Sequence, residues 1–553
     1  MLPPGTRQRD QHSLTGLPEV FISAGCEGLL ESGRWEKVEL RVIIRIRVLY
    51  YIPGLGGKPR LILPNGEPCA PLLRKRKGTL MKKIDLTRRE FLARTSAGLA
   101  AASAASGVAA ASPHALGLGR GVPASSGVRV AVFSCDITPP VGSPLEECDP
   151  PVATSIDIPL LAKGIILADD RTRYALCGLD YCELRAGAHD LVRRKLANAL
   201  GVNELQIEVH CLHQHDAPLY DTTADMLSDL VPSPPYVGVP AFLESVSDRI
   251  AAAAGDALKH LEPCTHVGVG RAKVEKFASN RRVPMPDGSI GIRLSHCNDP
   301  VLIAAPEGLI DPWVRTISFF SHDHPIVRLH YYATHPQSYY GKGHINPDTV
   351  GLAREHMEKE EGIPQIYFTG CCGNVAAGKY NDGSPPLRGI LADRLQQGMR
   401  GAIAATRKEK LTEIRWKTAD VRFALRREPN FSEEHFREVI FDAQQPYHQR
   451  THAAIGLSWY DRLKVRPTVD ISCYRLGPAW ILHLPGEAFV EYQLYAESLR
   501  PNDFLATAAY GELGTGYICM DKSAAEGGYE PTASYVGPPS EERLKAGIQE
   551  VLG

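Results

Sequence analysis

Hydrophobic and polar positions alternate along this chain in two periods. Short apolar runs, "VRVAVFSCDI" (128–137), "AKGIILADD" (162–170), "YALCGLDYC" (174–182), "LQIEVHCLH" (205–213) and "IVRLHYYATH" (326–335), have strand length and β-branched content. Between them, residues 186–200, 240–261, 348–361 and 388–407 carry apolar positions at helical spacing. Interleaving of this kind predicts an α/β fold, mixed sheets packed with helices in one large domain. No internal repeat and no Pro/Ser-rich linker is legible after about residue 127. Residues 428–465 are polar and helical in pattern between two strand-like regions, which predicts a helical excursion over one face with a surface role.

The N-terminal region breaks the pattern. From Met81 the chain reads "MKKIDLTRREFLARTSAGLAAASAASGVAAASPHA", with Arg88-Arg89 before a weakly hydrophobic Ala/Gly stretch that ends in small residues. This resembles a twin-arginine export signal over 81–115, implying a periplasmic or secreted protein, and Ala and Ser do not supply the transfer energy of a membrane span. Residues 1–80 then read as an upstream extension from a start codon set too early, without domain-like punctuation and expected to be disordered. The 553-residue chain is near neutral, with 62 Lys+Arg against 63 Asp+Glu, but from Leu116 onward there are 44 basic and 54 acidic residues. An acidic mature domain, 116–553, argues against nucleic acid or an anionic membrane as the main partner. Of 13 cysteines, 11 lie in the mature part without regular spacing and without a CxxC pair, which suits buried free thiols and excludes a zinc ribbon.

The segment "EVHCLHQHDAP" (208–218) places three histidines at the end of an apolar run. On a strand, His213 and His215 face one way and His210 the other, and Asp216-Ala217-Pro218 ends the strand. Strand ends of open α/β sheets are where sites form. "HYYATHPQS" puts His335 after another apolar strand, "ILHLPGEAFVE" puts Glu487 after a third and "GELGTGYICM" puts Tyr517 after a fourth. Two imidazoles, a carboxylate and a phenol are competent zinc donors.

Motifs spread over about residues 128–540 group these positions. "DITPPVG" (136–142), "LD" (179–180), "HQHDAP" (213–218), "NRR" (280–282), "ATHPQS" (333–338), "LPGE" (484–487) and "GYI" (516–518) occur in order, and the chain resembles the catalytic domain of the neutral/alkaline, non-lysosomal ceramidases. That resemblance implies a zinc amidase that splits N-acylsphingosine, with zinc ligands at His213, His335, Glu487 and Tyr517. It also implies His215 and Arg281 as active-site residues, His215 to move the proton and Arg281 to hold an oxyanion or a substrate hydroxyl. Asp180 and Asp348 are read either as carboxylates that orient the histidines or as turn caps, and Asn374 and Lys379 as residues of a turn rather than substrate contacts.

Two departures qualify the resemblance. The family carries a serine in an S-x-D setting after its second zinc histidine, and here "HINPDTVG" offers Asn346, assigned as a substrate-binding residue, before Asp348. Only 36 residues follow Tyr517, where ceramidases continue into a β-sandwich. The expectation is an exported zinc hydrolase of a small-molecule or lipid N-acyl amide. The alternatives are a zinc hydrolase of a non-lipid N-acyl or ester substrate, and a binding protein that has lost turnover on the same fold.

Overall fold

A computed structural model describes residues 24–25, 41–42, 127–146, 152–231 and 238–553. The chain divides into two compact units, Met1–Gly121 and Val122–Gly553. In the first, Ala24–Gly25 pairs antiparallel with Arg41–Val42; the expected export signal at 81–115 and the rest of the upstream extension lie outside the described residues.

The second unit is α/β, as the periodicity predicts. Among the described residues its three largest sheets share one plan. In the first sheet, Arg129–Asp136, Leu161–Ala168 and Arg173–Leu179 run antiparallel. The helix Ala186–Leu200 follows, and Ile207–Cys211 then returns parallel to Arg173–Leu179. A second helix, Pro240–Ala257, packs back on the first strand of the sheet.

The second sheet repeats this order. His266–Lys273, Trp313–Ser321 and His324–Tyr332 are antiparallel, the helix Asp348–Glu361 follows, and Gln365–Thr369 is parallel to His324–Tyr332. Its returning helix is Pro386–Ala404. The third sheet does so again with Arg415–Val421, Val469–Leu476, Ala479–His483, the helix Val490–Leu499, the parallel strand Phe504–Ala508 and the helix Ser540–Leu552. The structure therefore holds a threefold repeat that side-chain pattern alone does not reveal.

One face of all three sheets meets in a single core of Val130, Ile165, Leu176, Val267, Ile317, Leu329, Tyr474, Ile481 and Ala506. The opposite faces are covered by the helices, through residues such as Val192, Leu196, Val246 and Ile250. Strands buried on both faces need apolar residues at every position, which is why they read as continuous runs. The three parallel strands meet head to head just past their C-terminal ends. Cys211 N donates to Tyr510 O (2.9 Å), Ala509 N to Thr369 O (2.9 Å), and Thr369 Oγ1 to Leu212 O (2.8 Å), which closes a ring of hydrogen bonds.

The polar stretch at 428–465 forms two helices, Glu433–Phe441 and Tyr447–Val465, inserted between the first two strands of the third sheet. Ser432 caps the first by accepting from His435 N (3.1 Å).

Candidate metal centre

The histidine segment leaves its strand earlier than the alternation rule assumed. Ile207–Cys211 is the strand, and His213 takes a left-handed backbone with φ 73°. Its N–H donates to Tyr181 O (3.0 Å), and its ring stacks on Tyr510 at 4.5 Å, itself left-handed at φ 62°. Non-glycine residues in this region cost free energy and persist where the surroundings over-determine them. His213 and His215 thus come from a loop, with ring centroids 5.3 Å apart. His210 turns away, as predicted: Nδ1 donates to Ala509 O (2.7 Å), and Nε2 faces His483 Nδ1 at 2.8 Å.

His213, His335 and Glu487 converge, with ligand atoms all within 4.8 Å of one another. Glu487 Oε2 lies 3.1 Å from His213 Nε2 and 3.1 Å from His335 Nε2. The far side of each ring is committed. His335 Nδ1 faces the carbonyl oxygens of Cys372 (2.8 Å) and Val375 (3.0 Å), and His213 Nδ1 faces Cys182 O (3.1 Å), so both carry Nδ1–H and direct Nε2 inward. Tyr517 joins through Arg281, whose Nη1 donates to the Tyr517 hydroxyl (2.9 Å), to His335 Nε2 (3.1 Å) and to Gly373 O (3.2 Å). Glu487 and Tyr517 are held in register as parallel bridge partners.

The electrostatics of this group fit a cation. Burial lowers the His335 pKa to about 3, and the Arg281 charge adds to it, so that imidazole is neutral. Burial opposes charge on His213 too, but the Glu487 carboxylate outweighs it and raises its pKa; Glu487, despite burial, is pulled well below its usual value by His213. His213 and Glu487 therefore stabilise each other's charged forms. His335 Nε2, which accepts from Arg281 Nη1, also lies 3.1 Å from the same carboxylate oxygen with no proton of its own to offer. A cation among the three donors would take up both that lone pair and the carboxylate oxygen. Donors bonded at ~2.0 Å around a tetrahedral zinc stand about 3.3 Å apart, close to the spacing here.

The other predicted positions separate. His215 is buried and lines the cavity beside the centre, while Arg281 is buried behind the ligand group and is not on the cavity wall. Asn346 is not brought to the centre: it is wholly buried, donates to Asp216 Oδ2 (3.3 Å) and His344 O, and accepts from Asp348 N (2.9 Å). Asp180 makes a buried bidentate pair with Arg354 (2.6 and 2.8 Å) and Asp348 accepts from Ser338 N (3.1 Å), so neither touches the histidines. Asn374 pairs with Glu491 and Val490, and Lys379 donates to Ile303 O and Ala305 O, in keeping with a turn.

A cavity of about 620 Å³ adjoins the centre. Its lining includes His213, His215, Glu487 and Tyr517, and also Glu183, Arg185 and Phe431, Phe436, His452 and Ile455 from the 428–465 excursion. That excursion is a wall of the candidate site rather than a surface ornament. Its apolar spacing is that of any amphipathic helix, and Glu183 and Arg185 belong to no motif, so sequence offered no signal for either.

No family model and no curated protein matches the sequence. Among solved structures, neutral ceramidase from Pseudomonas aeruginosa matches with a TM-score of 0.58 and 16% identity, over 77% of this chain and 74% of that one. A ceramidase complexed with C2 matches with a TM-score of 0.57 at 16% identity over the same shares. Residues from all three sheets thus meet in a metal-competent group on a scaffold that has the neutral ceramidase fold.

Proposed function

We propose that this protein is a zinc-dependent hydrolase of a C–N amide bond in an N-acyl substrate, with His213, His335, Glu487 and Tyr517 as the metal ligands. The observation that carries this reading is the pair of inward-facing Nε2 atoms, each 3.1 Å from one Glu487 oxygen, beside a cavity of substrate size. The shared fold supports amide hydrolysis over other zinc chemistry. Zinc held there would supply Lewis acidity toward the scissile carbonyl and an acidified water.

The remaining work falls to the chain's own groups. His215, on the cavity wall, takes a proton from the attacking water and returns it to the leaving nitrogen. Arg281, behind the ligand group, positions the Tyr517 hydroxyl and sets a fixed positive charge at its back. Cys182 O and the Cys372 and Val375 carbonyls fix the imidazole orientations.

The test is metal content by elemental mass spectrometry together with hydrolysis of N-acylsphingosine and an N-acyl amino sugar. Expected are about one zinc per chain, lost in His213→Ala, and an activity abolished by chelator. A chelator-insensitive activity, or full activity in His213→Ala, refutes the reading. Export by the twin-arginine route is part of the proposal, and a reporter fused after residues 81–126 should leave the cytoplasm only while Arg88-Arg89 is intact.

A further inference from the structure

The cavity beside the metal centre carries features that amide chemistry does not use. Arg185 is buried, and its Nε meets the Glu183 carboxylate, yet its Nη1 has no hydrogen-bond partner. His452 Nε2 is also without one. Both side chains line the cavity and flank Tyr535: the Arg185 guanidinium carbon lies 6.0 Å from the Tyr535 ring, and the His452 ring 5.0 Å from it. A guanidinium can only donate, so a buried unpaired Nη1 calls for an oxygen acceptor on the ligand.

The wall formed by the helical excursion is closely packed. Phe436 seats in a notch over Gly456, where any added Cβ would strike its ring, and the Phe431, His452 and Tyr535 rings pack around it at 6.2, 6.0 and 6.1 Å. At ~30 Å³ per non-hydrogen atom, the share of one water in the liquid, the cavity of about 620 Å³, which opens to solvent, has room for roughly 20 such atoms. An N-acylsphingosine with two long chains has roughly 40, so about half of it would lie outside the cavity.

We propose that the cavity takes a single-chain N-acyl compound of about 20 non-hydrogen atoms, with an oxygen acceptor on its amine half held by Arg185 and its acyl chain stopped by Phe436. This rests on the amidase reading for which bond breaks, but not for what binds. The acceptor is a carboxylate, as in an N-acyl amino acid, or a hydroxyl, as in an N-acyl amino alcohol.

Binding tests it without turnover. Ketone analogues, with CH2 in place of the amide NH, are titrated calorimetrically into the zinc-loaded protein. Their amine halves end in carboxylate, hydroxyl or methyl, and their acyl chains run from 4 to 18 carbons. The better acceptor analogue should bind roughly 10- to 100-fold more tightly than its methyl counterpart, the span of one hydrogen bond to a charged donor, and which one wins identifies the acceptor. That ratio should collapse toward one in Arg185→Met. Affinity should peak at medium chain length, and Phe436→Ala should move the peak to longer chains. Equal binding of methyl and acceptor analogues in the wild type, a ratio unchanged in Arg185→Met, or tightest binding by a two-chain sphingolipid analogue overturns the proposal. Tight, acceptor-dependent binding by a protein that hydrolyses no amide would instead refute only the amidase reading.

Discussion

Gly373→Ala tests whether the ligand group is held by close backbone packing. Gly373 N donates to Ala488 O (2.9 Å), and its carbonyl accepts from Arg281. A Cβ at this position would land on the Glu487 carbonyl oxygen, and 3.1 Å from both the Glu487 carbonyl carbon and Phe489 Cδ1. Carbon contacts settle at ~3.5–4.0 Å, so the Glu487 main chain must retreat by about 1 Å. Glu487 N is bonded to Gly516 O (3.0 Å), beside Tyr517, so two proposed ligands move together. Ligand distances tolerate only about ±0.2 Å. Zinc affinity is therefore expected to fall roughly 10- to 100-fold. Amide kcat/KM should fall about 100-fold, the usual consequence of a ~1 Å misplacement. Overpacking should cost ~1–3 kcal/mol of stability. Gly389→Ala is the control: this exposed residue of the helix Pro386–Ala404 has nothing within 4 Å of its added Cβ and should gain ~0.5–1 kcal/mol. Chelator competition reads the affinity, and thermal unfolding with and without zinc reads the stability. A Gly373→Ala protein that keeps its zinc affinity within about threefold refutes the reasoning, because the clash would then have been absorbed away from the ligands.

Three further substitutions probe other parts of the structure. Glu487→Gln keeps the side-chain volume but removes the charge that both imidazoles face, and zinc stoichiometry measured after desalting should drop toward zero; retention of one zinc per chain would remove Glu487 from the ligand set. Arg354→Met leaves Asp180 buried without its bidentate partner, and chemical denaturation should show a loss of ~3–5 kcal/mol, with a loss under about 1 kcal/mol counting against the pair as an anchor. Burial raises the Glu208 carboxyl from 4.5 to about 7, so between those pH values the folded protein binds more protons than the unfolded one, and stability falls as pH rises. Glu208→Gln should accordingly match wild type near pH 4 and exceed it at pH 8 by up to roughly 3 kcal/mol, and a pH-independent difference would contradict the assignment.

Helical positions were the most legible part of the chain. The Ala186–Leu200 and Asp348–Glu361 helices fall on their predicted boundaries, because Gly201 and Gly362 stop them in the left-handed conformation (φ 66° and 68°). The helix expected at 388–407 begins two residues early at Pro386, since proline is tolerated in a first turn. The strand expected through His215 stops at Cys211, because a left-handed histidine carries no glycine to announce it. The HxH pattern at a strand end singles out His213, but only resemblance groups it with His335 and Glu487, as no spacing rule links residues 152 positions apart. Its place in a motif assigns Asn346 to substrate, whereas its amide is spent on Asp216 and His344 O inside the loop. Arg185 and Phe436 were invisible, since a charged residue before a helix and an aromatic on an amphipathic face are ordinary in sequence.

The threefold plan accounts for why the candidate ligands are scattered. Each sheet ends in a strand, a helix and a parallel strand, and such a unit delivers two loops at the C-terminal ends of its strands. His213 lies in the loop after the parallel strand of the first sheet; His335 and Glu487 lie in the loops that precede the helices of the second and third. The hydrogen-bond ring joining Cys211 to Tyr510, Ala509 to Thr369 and Thr369 to Leu212 holds these loop bases together. Tyr510 and His213 occupy the same position, two residues past their parallel strands, and both take the left-handed backbone that lets their rings stack. A centre assembled this way belongs to no single sheet. Loosening the ring at any one of its three joints should spread the ligands, so a Thr369→Val protein, which loses the Oγ1 bond to Leu212 O without losing volume, should weaken zinc binding although Thr369 touches none of the ligands. Unchanged zinc affinity in that variant would mean each loop is positioned by its own sheet alone.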